Sequence, residues 1–164
     1  MERAMRRSRQ VLDRENVCAI LDRAGNGVLS LVDDTGAPYG VPLSYAYDGE
    51  DRIYFHCAKS GYKLECIEAE SRCSFCVVGQ DLVMPEEFTT YFRSVIVAGR
   101  ISVVTDSDEI QLGLKLLCDK YSPGVDTEAE LSRFLKHVVV LRLDIEGICG
   151  KEAIELVRQR QSAL

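Results

Sequence analysis

The sequence has no excess of positive charge. Against 26 Asp and Glu there are only 20 Lys and Arg, giving a net charge of −6 and a pI near 5.0. A general nucleic-acid binder usually shows a basic stripe or surplus, so that class is disfavoured, and an oligonucleotide-binding barrel with it. No apolar run approaches the ~20 residues of a membrane-spanning helix. No secretory-type apolar stretch follows the charged N-terminus, so a cytoplasmic protein with no membrane partner is expected. Internal repeats and low-complexity tracts are missing. There is no nucleophile elbow, no G-x-G-x-x-G after a strand, no Walker motif and no convincing acid–base pair. If the chain is an enzyme, a cofactor therefore supplies the reactivity.

Cysteine is present but unpatterned. Cys18, Cys57, Cys66, Cys73, Cys76, Cys118 and Cys149 are odd in number and sit mostly in apolar runs, as buried thiols in a reducing compartment do. Cys73-Ser74-Phe75-Cys76 has C-x-x-C spacing. It lies in an expected strand, where positions three apart point to opposite faces, and no second pair or nearby histidine completes a ligand set. No metal site is expected. His137 stands alone between a helix and a strand, with a structural role as its default.

What is there reads as one domain spanning 1–164, with residues 1–12 as a frayed arm carrying the solvated Arg3, Arg6, Arg7 and Arg9. Asp13 caps a helix over Arg14–Arg23, and Val28–Val32 is a strand closed by the turn Asp33–Gly36. Strands are expected over Tyr39–Tyr47, Arg52–Ala58, Arg72–Val78, Phe88–Val104 and Val139–Ile148. Ser60 caps a helix ending near Glu70, Asp106 with Glu109 starts another that ends at Ser122-Pro123-Gly124, and Thr127 with Glu130 starts a fourth. Short turns imply antiparallel pairing, and a closed or partly open barrel hides the edges.

Two segments could carry chemistry. In Tyr39–Tyr47 one face holds Tyr39, Val41, Leu43, Tyr45 and Tyr47, the other only Gly40, Pro42, Ser44 and Ala46. The small face leaves room for something flat, and Pro42 predicts a bulge. In His56–Lys63 a strand end, a Gly-containing turn and a helix start meet with Lys59 and Lys63. A lysine in a helix's first turn is misplaced unless an anion neutralises it, and free amides there suit a phosphate. A plain cap with solvated lysines is the competing reading. Arg93 and Ser94 on the long strand could also touch an anion or a flavin, although an outward Arg and an inward Ser serve as well.

Pro38-Tyr39-Gly40-Val41-Pro42-Leu43-Ser44-Tyr45, then Ile53–Ala58 with Gly61 and Lys63, then Arg93–Ile96 with Gly99, then Gly147–Lys151 occur in that order. In this the chain resembles the nitroimidazole-resistance (Nim) family, within the pyridoxamine 5'-phosphate oxidase-like flavin proteins, from about Arg6 to Lys151. The resemblance implies a mainly β fold with flanking helices, a six-stranded antiparallel split β-barrel. It implies a homodimer holding FMN near its interface, and an FMN-dependent oxidoreductase of the nitroreductase type. Val41, Pro42, Leu43 and Ser44 would run beside the isoalloxazine. Ala58, Lys59, Gly61 and Lys63 would hold the phosphate. His56 would lie near the ring or ribityl chain, Ser94 and Val95 would touch the flavin, and Lys151 would approach from the other subunit. The alternative within the same group is a non-catalytic flavin- or haem-binding module, with His56 as a ligand. Glu87 stands where relatives often carry Cys or Asn. The arginines that grip pyridoxine phosphate in the oxidases have no clear counterparts, which argues against vitamin B6 oxidation. No residue names the substrate or the electron donor.

Overall fold

The fold begins where the sequence patterns are cleanest. In a computed structural model, which describes residues 5–127, 131, 133 and 137–162, the Asp13 carboxylate accepts the Asn16 amide and opens helix α1 (Arg14–Arg23). Leu29 and Leu31 of strand β1 (Gly27–Val32) are buried while Val28 and Ser30, which alternate with them, are exposed. The Asp33 turn then leads into β2 (Pro38–Leu43). After Ser44 and Tyr45 come β3 (Ala46–Tyr47), β4 (Arg52–Ala58) and helix α2 (Tyr62–Ala69). Two long strands follow, β5 (Arg72–Met84) and β6 (Thr89–Val103), then helix α3 (Ser107–Tyr121), strand β7 (Val138–Glu152) and helix α4 (Ile154–Ser162). Asp106 accepts the Asp108 and Glu109 amides at the start of α3, as its capping pattern predicts. The helix expected after Thr127 lies outside the described residues.

All strands pair antiparallel in one sheet of order β2-β1-β5-β6-β7-β4-β3. Its two end strands, β2 and β3, are one stretch of chain joined by Ser44 and Tyr45. The sheet must therefore curl until its ends meet at that link, which makes it a barrel. β2 bonds only to β1 and β3 only to β4, so the barrel stays split.

The sheet has seven strands rather than six because the expected strand Tyr39–Tyr47 is interrupted. The Tyr121 hydroxyl on α3 accepts the Tyr45 amide (2.9 Å) and donates to the Gly25 carbonyl (2.7 Å). The Tyr45 amide is satisfied by a side chain, and the chain crosses from one sheet end to the other there. The bulge expected at Pro42 is not found: Val28↔Pro42 sits in an unbroken β1–β2 ladder. A strand on the edge of a sheet tolerates the missing N–H.

Leu29, Leu31, Ile53, Phe55, Val77, Val95, Val97, Leu141 and Leu143 fill the barrel. Phe75 meets Tyr45 and Phe55 edge-on, with centroids 4.9 and 5.1 Å apart. Such aromatic pairs add about 0.5–1.5 kcal/mol each beyond their burial. Val17, Ile20 and Leu21 of α1 belong to the same core. A second cluster, Tyr54, Val104, Leu114 and Val140, lies under α3. Gly113 admits the Tyr54 ring there, since a Cβ would stand 2.9 Å from it. No helix among the described residues is long and apolar enough to cross a membrane.

Candidate functional site

The split has two lips. One is β2 with its Ser44 extension. The other is the end of β4 running into α2. Their last bonded register pair is Ala46↔Tyr54. The lips meet again further along, where the Tyr39 and Tyr62 rings pack edge-on at 4.9 Å. In sequence, Val41, Pro42, Leu43 and Ser44 on one lip and His56, Ala58, Lys59 and Gly61 on the other lie between these two contacts, and Lys63 follows directly after the second.

Side-chain direction divides them. Gly40, Pro42, Ser44, His56 and Ala58 are exposed on the outer surface, whereas Val41 and Leu43 are half-buried against the core. The outer surface of the β2 lip therefore carries Gly40, Pro42 and Ser44 of the small-residue face read in the sequence, whereas Ala46, past the break at Tyr45, is buried with Tyr45 and Tyr47. Val41 and Leu43 support that surface from beneath.

The start of α2 differs from expectation. Its N-cap is Gly61, not Ser60, and no side chain caps it. Gly61 has φ 138°, a conformation that L-residues with a side chain rarely adopt. The Leu64 and Glu65 amides turn back to the Gly61 carbonyl. Tyr62 and Lys63 begin a helix whose positive end no cap covers. Among the described residues neither Lys59 nor Lys63 has an ion-pair or hydrogen-bond partner. Partial burial of the His56 ring, and then the Lys63 ammonium, lower its pKa below the usual histidine value. Burial raises the Cys57 thiol and Lys63 pulls it back down. Lys63 thus reaches the end of β4 electrostatically.

An unforeseen pair anchors this corner. The Tyr62 hydroxyl donates to Asp33 Oδ2 (2.7 Å). That bond first, then Thr35 and the Ala37 amide, hold Asp33 at about 2, and Tyr62 is pushed up to about 12. Two residues 29 apart in sequence, both at turns, carry no local signal that would pair them.

Ser94, Val95 and Lys151 lie elsewhere. Ser94 pairs with Lys151 in the β6–β7 ladder, and the Lys151 ammonium stands 5.2 Å from the Phe92 ring centroid. Val95 is fully buried, so only its main chain is open to a ligand. Ser94 and Lys151 face outward on the same surface as Pro42. Register links Pro42 to Val28, Val28 to Cys76, and Cys76 to Ile96. Three strand spacings of ~4.8 Å put Ile96 about 14 Å from Pro42, with Ser94 two residues beyond. Within one chain the two groups do not converge on one flat ring. Arg93 is not free either: it pairs with the buried Glu152 at 3.2 Å.

Cys73 turns toward the core with Phe75 and Val77, and burial pushes its thiol up to about 12, while Cys76 lies on the outer face. Among the described residues no group of three or more His, Cys, Asp or Glu is placed to hold a metal ion.

The whole split barrel recurs in known proteins. One match is a candidate 5-nitroimidazole antibiotic resistance protein from Bacteroides thetaiotaomicron, at TM-score 0.74 and 19% identity over 87% of this chain and 86% of that one. A second is the flavocytochrome Anf3 from Azotobacter vinelandii, at TM-score 0.72 and 22% identity over 92% and 72%. A third is a FAD-binding protein from Mesorhizobium loti, at TM-score 0.63 and 27% identity over 88% and 97%. No curated protein matches the sequence. Residues 13–152 match the family model described as pyridoxamine 5'-phosphate oxidase, and the chain belongs to that family.

Proposed function

We propose that the chain binds FMN along the split, as a homodimer, and works as an FMN-dependent oxidoreductase on a small molecule. The observation that carries this is the pairing of an uncapped helix start and two unpartnered lysines with a small-residue lip across the same gap. A dianionic phosphate fits the first, because amides and ammonium groups both donate to it. A flat ring fits the second, because Gly40, Pro42 and Ser44 keep the outer surface low. The flavin, when bound, carries electrons between a reductant and an acceptor. The protein's part is to hold the phosphate with Lys59 and Lys63 and to seat the ring on the β2 lip.

A second copy is the proposed occupant of the outer sheet face. That face carries Pro42, Val28, Cys76, Ile96 and Cys149 in one row, and Gly40, Ser30, Ser74, Ala98 and Gly147 in the next, with no charge in either. Val28 is 42% and Ile96 52% exposed. Ser94 and Lys151 lie on this face, too far from their own split to share its ring, so docking of a partner's face supplies them in trans. The same geometry accounts for the reading of Lys151 as a residue from the other subunit.

The test is the absorbance spectrum of purified protein, with mass identification of any released ligand and titration with FMN. Flavin bands and FMN mass support the reading. A Soret band turns it toward the haem-binding alternative, and a colourless protein that gains no flavin signal overturns it. Anaerobic reduction by NADH or NADPH, followed by reoxidation with candidate acceptors, separates an enzyme from a carrier.

A further inference from the structure

Arg6, Arg7 and Arg9, read in the sequence as solvated, line a cavity. Ser8–Gln10 forms a 3-10 turn, Val11 bridges to Lys151, and the Leu12 amide donates to the Gly150 carbonyl. The Gln10 side chain, 3% exposed, donates to the Glu152 carbonyl at 2.8 Å. This docking holds Arg6, Arg7 and Arg9 against Ile154, the first residue of α4, and leaves a cavity of about 460 Å³ between them. Nearby, Arg93 and Arg160 are both engaged by Glu152, at 3.2 and 2.8 Å. Among the described residues no carboxylate pairs with Arg6, Arg7 or Arg9. Arg6, Arg7 and Arg9 therefore line one concavity, with no carboxylate paired to them among the described residues, in a chain whose net charge is −6.

We infer that the cavity lined by Arg6, Arg7 and Arg9 is an anion site for the phosphates of a nucleotide, separate from the flavin-phosphate site at Lys63. Guanidinium forks match phosphate oxygens in pairs, and three of them suit a di- or triphosphate better than a single carboxylate. The volume lies within the range of small-molecule pockets and far exceeds what one phosphate fills. The Val11–Lys151 bridge sets the cavity beside the surface that carries Ser94 and Lys151. A nucleotide held here reaches from that surface. The group that fits a site apart from the flavin phosphate is the adenosine diphosphate portion of a nicotinamide dinucleotide reductant.

The test is calorimetric titration of the full chain, as purified, with ADP and with inorganic pyrophosphate. Both are expected to bind, and Arg7→Ala/Arg9→Ala to weaken both by roughly tenfold or more. Arg23→Ala, an exposed change in the last turn of α1 outside the cavity lining, serves as the control for charge. Absence of ADP binding, or an equal loss in Arg23→Ala, overturns the inference. Displacement of bound ADP by NADH or NADPH but not by FMN supports a reductant site, and displacement by FMN, or by neither dinucleotide, overturns it. Repeating the ADP titration in Lys63→Ala keeps the two readings apart. ADP binding that survives unchanged in this variant, whose FMN binding is weakened, supports this site even if the flavin reading fails.

Discussion

The Tyr39 ring meets the Tyr62 ring edge-on at 4.9 Å, and the Tyr62 hydroxyl donates to Asp33. This one side chain ties the β2 lip, the β1–β2 turn and the start of α2 together. Tyr62→Phe keeps the ring contact and is expected to leave flavin affinity within about twofold. Tyr62→Ala loses the pair, at a cost of ~0.5–1.5 kcal/mol in stability, and is expected to weaken flavin binding because the helix start shifts from the lip. Thermal denaturation and flavin fluorescence titration on both variants check this. Equal flavin affinity in Tyr62→Ala and the parent would show that the clamp does not hold the site.

Lys63→Ala is expected to lower FMN affinity roughly tenfold to a hundredfold, since charge-assisted contacts are worth ~1.5–3 kcal/mol. The same change should raise the His56 titration midpoint, because the Lys63 ammonium is one of the two causes holding it down. The folded-state pKa of His56 lies below the unfolded value, so the unfolded chain takes up the proton first. This group therefore reduces stability as pH falls through about 6.5, and the reduction should be smaller in Lys63→Ala. NMR titration of the His56 ring reads the shift. FMN binding should move the His56 midpoint upward in the parent, as a phosphate neutralises Lys63.

Ile96 is 52% exposed at the middle of the uncharged sheet face. Ile96→Glu should leave the monomer's fold intact, because the side chain packs little within one chain. Across a two-fold interface it brings like charges together, which costs a dimer and not a monomer. Analytical ultracentrifugation should show a parent dimer and a variant monomer, with weaker flavin binding in the variant. A parent that sediments as a monomer at micromolar concentration would sink the dimer proposal.

Glu152 is fully buried and paired with two arginines, each partly exposed. Removing both, in Arg93→Ala/Arg160→Ala, leaves an uncompensated buried carboxylate and should cost ~3–5 kcal/mol. Adding Glu152→Met to that double variant should recover much of the loss, because an apolar group of similar size needs no partner there. Urea denaturation of the three proteins measures it, and a double variant as stable as the parent would contradict the ion-pair account.

Much of the fold was legible because it is written locally. Leu29 and Leu31 alternate with exposed neighbours, Asp13 and Asp106 cap their helices, and β4 spans the expected Arg52–Ala58. The length of β5 was less legible. Leu82 and Val83, on the β5–β6 arm, are 53% and 63% exposed, so no core burial patterns them. The break after Leu43 was invisible because its cause is the Tyr121 hydroxyl, 76 residues from Tyr45. For the same reason the Gly61 cap was misread as Ser60: the local pattern favours a hydroxyl, and the conformation of Gly61 decides otherwise.

By itself the sequence determined the strand alternation, the helix starts at Asp13 and Asp106, the small-residue face of Gly40, Pro42 and Ser44, and the out-of-place Lys63. These follow from short-range periodicity and from the electrostatics of one helical turn. Only the tertiary structure decided that β2 and β4 border one split, that Ser94 and Lys151 lie across the sheet from it, and that Arg6, Arg7 and Arg9 line a cavity. Those relationships depend on how a seven-stranded sheet curls and where its ends meet, and sheet curvature sums small twists over strands far apart in sequence.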